Sequence, residues 1–290
     1  MKDIQKILIP LNGTPNADAA LATGLIFAQQ FDAHLQAVHV QADSREVAPL
    51  AGEGLSGAMV EEMMSAAERE SARRAQGVRA RFEDFATTTG VVVCGHAAPY
   101  PAGASASFQI LPGAEHDMVT WRARLSDMTI VPHPDSGDEV SSSETLHAVL
   151  FDSGRPVIIA PRRAPTHAGR RICVAWNGTA ESAAALSGAL PWLARAEAVR
   201  VLFSPSYQRR GPEGLEVTEY LRAHDIPADV VPFAPINGDV GAGLLTAVTE
   251  FGADMMCMGA YSHSRLRQLI LGGVTRHVLE KAEITVLMSR

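Results

Sequence analysis

The apolar residues of this chain gather in short runs separated by stretches of helical spacing. Ile7-Leu8-Ile9 form one such run. Behind it Leu21, Leu25 and Ala28 recur at i, i+4 and i+7, which is one face of a helix. In the C-terminal half the runs predict strands at about 171–176, 199–204, 228–233, 255–259 and 284–288. Helices are predicted between them, near 180–194, 213–224, 240–251 and 274–281. Leu186, Leu190 and Leu193 mark the buried face of the first of these helices, and Pro191 inside it predicts a kink. Short Val, Ile and Leu strands alternating with helices predict an α/β fold with a parallel sheet covered on both faces.

The pattern occurs twice. Lys6-Ile7-Leu8-Ile9-Pro10-Leu11-Asn12-Gly13-Thr14 corresponds to Arg171-Ile172-Cys173-Val174-Ala175-Trp176-Asn177-Gly178-Thr179, an offset of 165 residues. Each copy is a basic residue, an apolar strand and Asn-Gly-Thr. Thr14 is expected to cap the helix after the first copy, with Pro15 at its first position, and Thr179 to cap the helix after the second. Asp127-Met128-Thr129-Ile130-Val131 corresponds to Asp254-Met255-Met256-Cys257-Met258 at an offset of 127. The first half therefore carries about 38 extra residues, placed mostly within 45–85. That stretch reads as a loop holding Pro49, Gly52, Gly54 and Gly57, then a long charged helix. Met59 and Met63 are expected to begin the buried face of this helix, and Val78, Phe82 and Phe85 to end it. Each half then reads as five strands alternating with four helices. The Pro- and Arg-rich stretch Pro161-Arg162-Arg163-Ala164-Pro165 sets the expected domains at 1–162 and 165–290.

Composition narrows the function. With 47% hydrophobic and 20% charged residues the chain is globular. Its mean hydropathy is +0.04, and no apolar run approaches the roughly 18–20 residues of a membrane helix. The opening Met1-Lys2-Asp3-Ile4-Gln5-Lys6 shows no cleavage pattern, so a cytoplasmic protein without a membrane partner is expected. Cys94, Cys173 and Cys257 form no CxxC pair, which argues against a disulfide framework or a cysteine zinc site. The formal net charge of −7 argues against a general nucleic-acid binder. Charge is unevenly spread: residues 1–160 carry −9 and residues 161–290 carry +2, so an anion is expected in the second half. The ten histidines make no metal-binding spacing. No G-x-S-x-G elbow, G-x-G-x-x-G turn or Walker A loop is present.

The candidate chemistry lies between the fourth strand and last helix of the second half, from Met258 to Thr275. Glycine lets a backbone approach a phosphate closely. The free amides at a helix start near Gly273 to Thr275 favour an anion, and Arg265, Arg267 and Arg276 add positive charge. The alternative is that Gly259 and Gly272-Gly273 only punctuate two turns.

On these residues the chain resembles the universal stress protein family, over both halves as a tandem pair. The loop that holds phosphates and ribose in nucleotide-binding members has the form G-x2-G-x9-G-[S/T]. It is matched by Gly259-x2-Ser262-x9-Gly272-Gly273. Ser262 replaces the second glycine, keeping an amide and adding a hydroxyl. Gly273 stands where a hydroxyl residue is usual, with Thr275 the candidate to replace it. The family's acidic residue at the end of the first strand is Asn177 here, and Asn12 in the first half. An amide can accept a ribose hydroxyl, but it brings no charge and weakens a metal bridge. The alternative role of both asparagines is a turn with a helix cap. The adenine contact maps to Phe203 or Ser204. His263 and His277 lie near the loop.

The resemblance implies two tandem Rossmann-like domains, each a mostly parallel five-stranded sheet with helices on both faces. It implies an adenine-nucleotide partner: ATP, or alternatively ADP or AMP, with or without Mg. The residues implied are Ala175, Asn177, Phe203, Met258, Gly259, Ser262, Arg265, Gly272, Gly273, Val274 and Thr275. The role implied is regulatory or protective under stress, by binding rather than rapid turnover. A nucleotide-independent interaction module and a slow ATPase are the alternatives. The first half lacks the loop: Pro132 falls opposite Gly259 and Asp135 opposite Ser262, and Asp135, Asp138, Glu139 and Glu144 would repel a triphosphate. Both halves end in apolar strands, Val157-Ile158-Ile159-Ala160 and Ile284-Thr285-Val286-Leu287-Met288. In the family such strands pair two domains, and two unpaired apolar edges in one chain can satisfy each other. The halves are therefore expected to pair internally, with a homodimer as a further assembly.

Overall fold

In the computed structural model, residues 4–14, 16–41, 57–133, 144–207, 211–261 and 273–290 are described. The first half runs β1 Lys6–Pro10, α1 Ala17–Phe31, β2 His34–Gln41, α2 Gly57–Thr89, β3 Val92–Val93, β4 Ser105–Pro112, α3 Glu115–Ala123, β5 Met128–Val131, α4 Glu144–Asp152 and β6 Val157–Ile159. The second runs β7 Arg171–Trp176, α5 Ala180–Leu193, β8 Ala198–Phe203, α6 Gly214–Arg222, β9 Asp229–Pro232, α7 Val240–Phe251, β10 Met255–Gly259, α8 Val274–Lys281 and β11 Thr285–Ser289.

The strands form one sheet in the order β3-β4-β2-β1-β5-β6-β11-β10-β7-β8-β9. Neighbours run parallel except β6 and β11, which are antiparallel in the register Val286↔Ile159, Leu287↔Ile158 and Met288↔Val157. The central strands are buried on both faces, as their near-continuous apolar sequences require. One face packs residues of α1 and α5 (Leu21, Phe27, Leu186, Leu190 and Trp192 among them) onto Ile7, Ile9, Ile172 and Val174. The other packs Leu146, Val149 and Leu150 of α4, Leu244 and Val248 of α7, and Val278 and Leu279 of α8. Among the described residues no helix is long and apolar enough to cross a membrane.

Three expectations change. The first half holds a sixth strand, β3, only two residues long and at the sheet edge. Met59 and Met63 do not begin a buried face: they are 51% and 45% exposed, and α2 buries only Ala75, Val78, Phe82 and Ala86, with Phe85 packed partly against the core. Its first turns extend beyond the strands that its last turns cover. Thr14 does not cap α1. That helix begins at Ala17 behind Asn16, which makes no side-chain cap, and the Thr14 carbonyl instead accepts from the Ala17 amide at 3.2 Å. Thr179 does cap α5, accepting from the Ser182 amide at 3.3 Å. Pro191 lies within the last turn of α5, where the helix continues to Leu193. Pro15 lies outside the described residues.

Candidate functional site

Parallel strands release their loops at one edge of the sheet, so the carboxyl ends of β7, β8, β9 and β10 meet in one place. There the second half forms a recess with a cavity volume of about 50 Å³ that opens to solvent. Ala175, Trp176 and Asn177 line it from the end of β7. Leu202, Ser204 and Tyr207 come from β8 and the turn after it, and Phe233 follows β9. Val240 and Leu244 of α7, Met258 and Gly259 of β10, and Val274 and Thr275 of α8 close the rest.

Local bonds fix these residues. The Trp176 indole N–H donates to the Pro212 carbonyl at 2.8 Å, which holds the ring against the segment before α6. The Phe233 amide donates to the Phe203 carbonyl at 2.9 Å, drawing the exits of β8 and β9 together. Ser204 is buried, and its hydroxyl lies 3.1 Å from that of Ser206. Gly259 has no room for a side chain, because a Cβ there would stand 2.5 Å from the Ser182 amide and 2.6 Å from the Glu181 carbonyl carbon. This close approach seats the end of β10 against the first turn of α5. Thr275 is buried, and its hydroxyl oxygen accepts from the Tyr261 amide at 3.3 Å, joining the start of α8 to the exit of β10. His277 is turned to α7: its Nδ1 lies 2.8 Å from Asp239 Oδ2, and Asp239 also caps α7 through the Ala242 amide at 3.1 Å.

Seven sequence-derived candidates therefore line one recess: Ala175, Asn177, Ser204, Met258, Gly259, Val274 and Thr275. Phe203 ends β8 between lining residues Leu202 and Ser204 without itself lining the recess, and Gly273 is the residue before α8. Ser262, Arg265 and Gly272 lie outside the described residues, as do His263, Asp135, Asp138 and Glu139. The sequence reading missed Trp176, Leu202, Tyr207, Phe233, Val240 and Leu244. Their signal is positional, at strand exits and on the facing turns of α7.

Asn177 and Asn12 both make turns. Asn177 Oδ1 accepts from the Thr179 amide at 3.2 Å and the Thr179 hydroxyl at 2.9 Å, and Asn12 Oδ1 accepts from the Thr14 amide at 3.1 Å. No charged side chain lines the recess among the described residues, and among them no three His, Cys, Asp or Glu could hold a metal ion. With Asn177 Oδ1 committed to Thr179, these residues do not fit a protein-held Mg. Burial pushes the Cys173 thiol up to about 12 and raises that of Cys257 as well, so both act as packing residues in their strands.

Residues 169–290 match the model of the universal stress protein family. The chain is similar in structure to a universal stress protein from Archaeoglobus fulgidus DSM 4304, with a TM-score of 0.66 and 16% identity over 98% of this chain and 96% of that one. It is also similar to a putative universal stress protein from Pseudomonas aeruginosa UCBPP-PA14, with a TM-score of 0.53 and 14% identity over 99% and 93%. These likenesses establish the fold. No curated protein matches the chain by sequence.

Proposed function

We propose that the second half, which matches the universal stress protein family, binds one adenine nucleotide in the recess between β10 and α8, as a regulatory or protective event rather than for rapid turnover. The observation that carries this reading is the recess itself. It lies at the carboxyl ends of parallel strands, and it joins the side-chain-free approach at Gly259 to the first turn of α8. In this reading Leu202, Phe233 and Leu244 surround the base, Ala175 and Asn177 face the ribose, and Gly259, Val274 and Thr275 face the phosphates. The segment 262–272 contains Arg265 and Arg267 and no carboxylate, so its charge suits a polyanion. Domains of 1–162 and 165–290 joined through β6 and β11 make the chain an internal pair acting in the cytoplasm. The antiparallel register of those two strands supports that arrangement.

Mass spectrometry of freshly purified, denatured full-length protein should release ATP, ADP or AMP. Titration calorimetry should give one site per chain. Absence of nucleotide together with no binding heat for all three would overturn the reading in favour of an interaction module. Two equivalent sites would overturn its restriction to the second half.

A further inference from the structure

We infer that the first half tunes the second half's recess through a single side-chain clamp, in which His147 and Phe151 of α4 hold Tyr261 and so act as positioning residues for the nucleotide. This rests on the reading just given.

Tyr261 is the second residue after β10. The preceding residue is tied down by its amide, since the Ala260 N–H donates to the Ser289 carbonyl at 2.9 Å. Tyr261 itself has φ +53, the left-handed region that bulky side chains rarely occupy. A residue stays there when its surroundings over-determine it. On the backbone side, its amide donates to the Thr275 hydroxyl oxygen at 3.3 Å. On the side-chain side, the hydrogen bond and ring contacts of Tyr261 come from α4 of the first half. His147 Nε2 lies 3.0 Å from the phenol oxygen, and the His147 ring meets the Tyr261 ring edge-on at 5.5 Å. Phe151, one turn further along α4, lies 5.4 Å from the same ring. The Arg290 guanidinium covers Phe151 at 4.1 Å.

Burial pushes the Tyr261 phenol up to about 12, so it keeps its proton and can donate to Nε2. The clamp therefore reaches two lining elements through one residue: Gly259, two residues before it, and Thr275, hydrogen-bonded to it. If the ring is released, Tyr261 is free to leave its left-handed conformation. The Tyr261–Thr275 bond then weakens, and with it the alignment of β10 with α8. None of the clamp residues lines the recess, so the effect passes through Tyr261.

The test uses the full-length chain with His147→Phe, His147→Gln, Tyr261→Phe and the double variant His147→Phe/Tyr261→Phe. ATP, ADP and AMP are titrated by calorimetry. In parallel, exchange of the Tyr261 amide is followed by NMR without nucleotide. His147→Phe and Tyr261→Phe should each weaken nucleotide binding about three- to tenfold. The double variant should be no weaker than the worse single, because the two remove one interaction. His147→Gln, which keeps an acceptor, should restore most of the affinity. Exchange of the Tyr261 amide should accelerate in His147→Phe. Unchanged affinity in folded variants that bind nucleotide, or fully additive losses, would overturn the clamp. If the parent chain binds none of the three nucleotides, the functional reading fails, and unchanged exchange of Tyr261 would then overturn the clamp as well.

Discussion

Replacing Trp192 by alanine tests whether the two halves share one core. Trp192 lies on α5 in the second half and is fully buried. Its ring stands edge-on to Phe27 at 5.3 Å and to Phe31 at 5.2 Å, both on α1 of the first half. Arg195 covers the Phe31 ring at 4.6 Å. Truncating a buried tryptophan costs about 3–5 kcal/mol in lost transfer energy and cavity. Each edge-on ring pair adds roughly 0.5–1.5 kcal/mol beyond burial. The Trp192 indole N–H is buried with no partner among the described residues, and removing it returns about 1–3 kcal/mol. The net expectation is a loss of about 4 kcal/mol, a large share of the roughly 5–15 kcal/mol of a typical native state. Urea unfolding followed by circular dichroism measures it, with Phe27→Ala and the double variant completing a cycle. A shared core predicts one transition and a Phe27–Trp192 coupling of at least about 1 kcal/mol. Two transitions, only one of them shifted, with a coupling near zero, would show the halves to be independent beads and refute the reasoning.

Four other outcomes follow from particular contacts. Gly259→Ala drives a Cβ into the backbone of α5 and should destabilise the fold by about 1–3 kcal/mol while weakening nucleotide binding at least tenfold; normal values of both would show that β10 and α5 are not in this contact. Nucleotide affinity should be unaffected by EDTA, since Asn177 Oδ1 is committed to Thr179 and the described lining has no carboxylate; a marked loss on chelation would require a metal held elsewhere. Of the three cysteines, only partly exposed Cys94 should react with a thiol reagent at pH 8 in the folded protein, because burial raises the pKa of Cys173 and Cys257; two or three rapid equivalents would contradict that. Burial, helped by the nearby Lys6 charge, lowers His34 from 6.5 to about 4, so folding favours the neutral ring. Its contribution to stability is fully present above pH 6.5 and is lost as pH falls towards 4; an NMR titration of the His34 ring with a midpoint at 6 or above would exclude this.

The second half was legible because its strands and helices are short, regularly spaced and marked at their ends. Helix α7, expected at 240–251, spans those residues, closed by Gly252 in the left-handed conformation with Asp239 capping its start. The first half was less legible where an element extends beyond its neighbours. Met59 and Met63 sit at helical spacing in α2, but spacing cannot tell which turns have something to pack against. The two-residue edge strand β3 was not foreseen, because so short an element carries no periodic pattern to read. The Asn-Gly-Thr repeat suggested one cap twice, yet α1 begins two residues later in its repeat than α5 does. For the recess, glycines and strand-end polar residues could be read directly. Trp176, Tyr207 and Phe233 could not, because they face the recess only once strands distant in sequence lie side by side. Tyr261 gave no sequence signal, since its partners His147 and Phe151 are more than a hundred residues away.

The same repeat has two different endings, and the inserted helix explains the difference. In the first half α2 lies over the Asn12-Gly13 turn: a Cβ on Gly13 would stand 3.3 Å from Val78 Cγ2 and 3.7 Å from Arg74 Cγ. Arg81 donates to the Thr14 carbonyl at 3.3 Å and pairs with Asp18 at 2.7 Å, fixing α2 to the start of α1. Nearby strand ends are closed by polar side chains: His39 Nδ1 lies 2.7 Å from the Leu11 carbonyl oxygen, and Asn16 donates to the His133 carbonyl at 2.8 Å. Pro132 occupies the position where the second half has Gly259 and its side-chain-free approach to α5. In the second half the turn at Gly178 meets the short segment at Gly211, and the strand exits beyond it border the recess. The −9 and +2 charge split runs the same way, placing the less acidic half around the recess. The sheet is therefore present in both copies, while the strand exits border the recess described above in the second. What the first copy retains toward that recess is α4, whose His147 and Phe151 reach across to Tyr261. If this contact sets the alignment of β10 with α8, the proposed site of the second half depends on the first half as well.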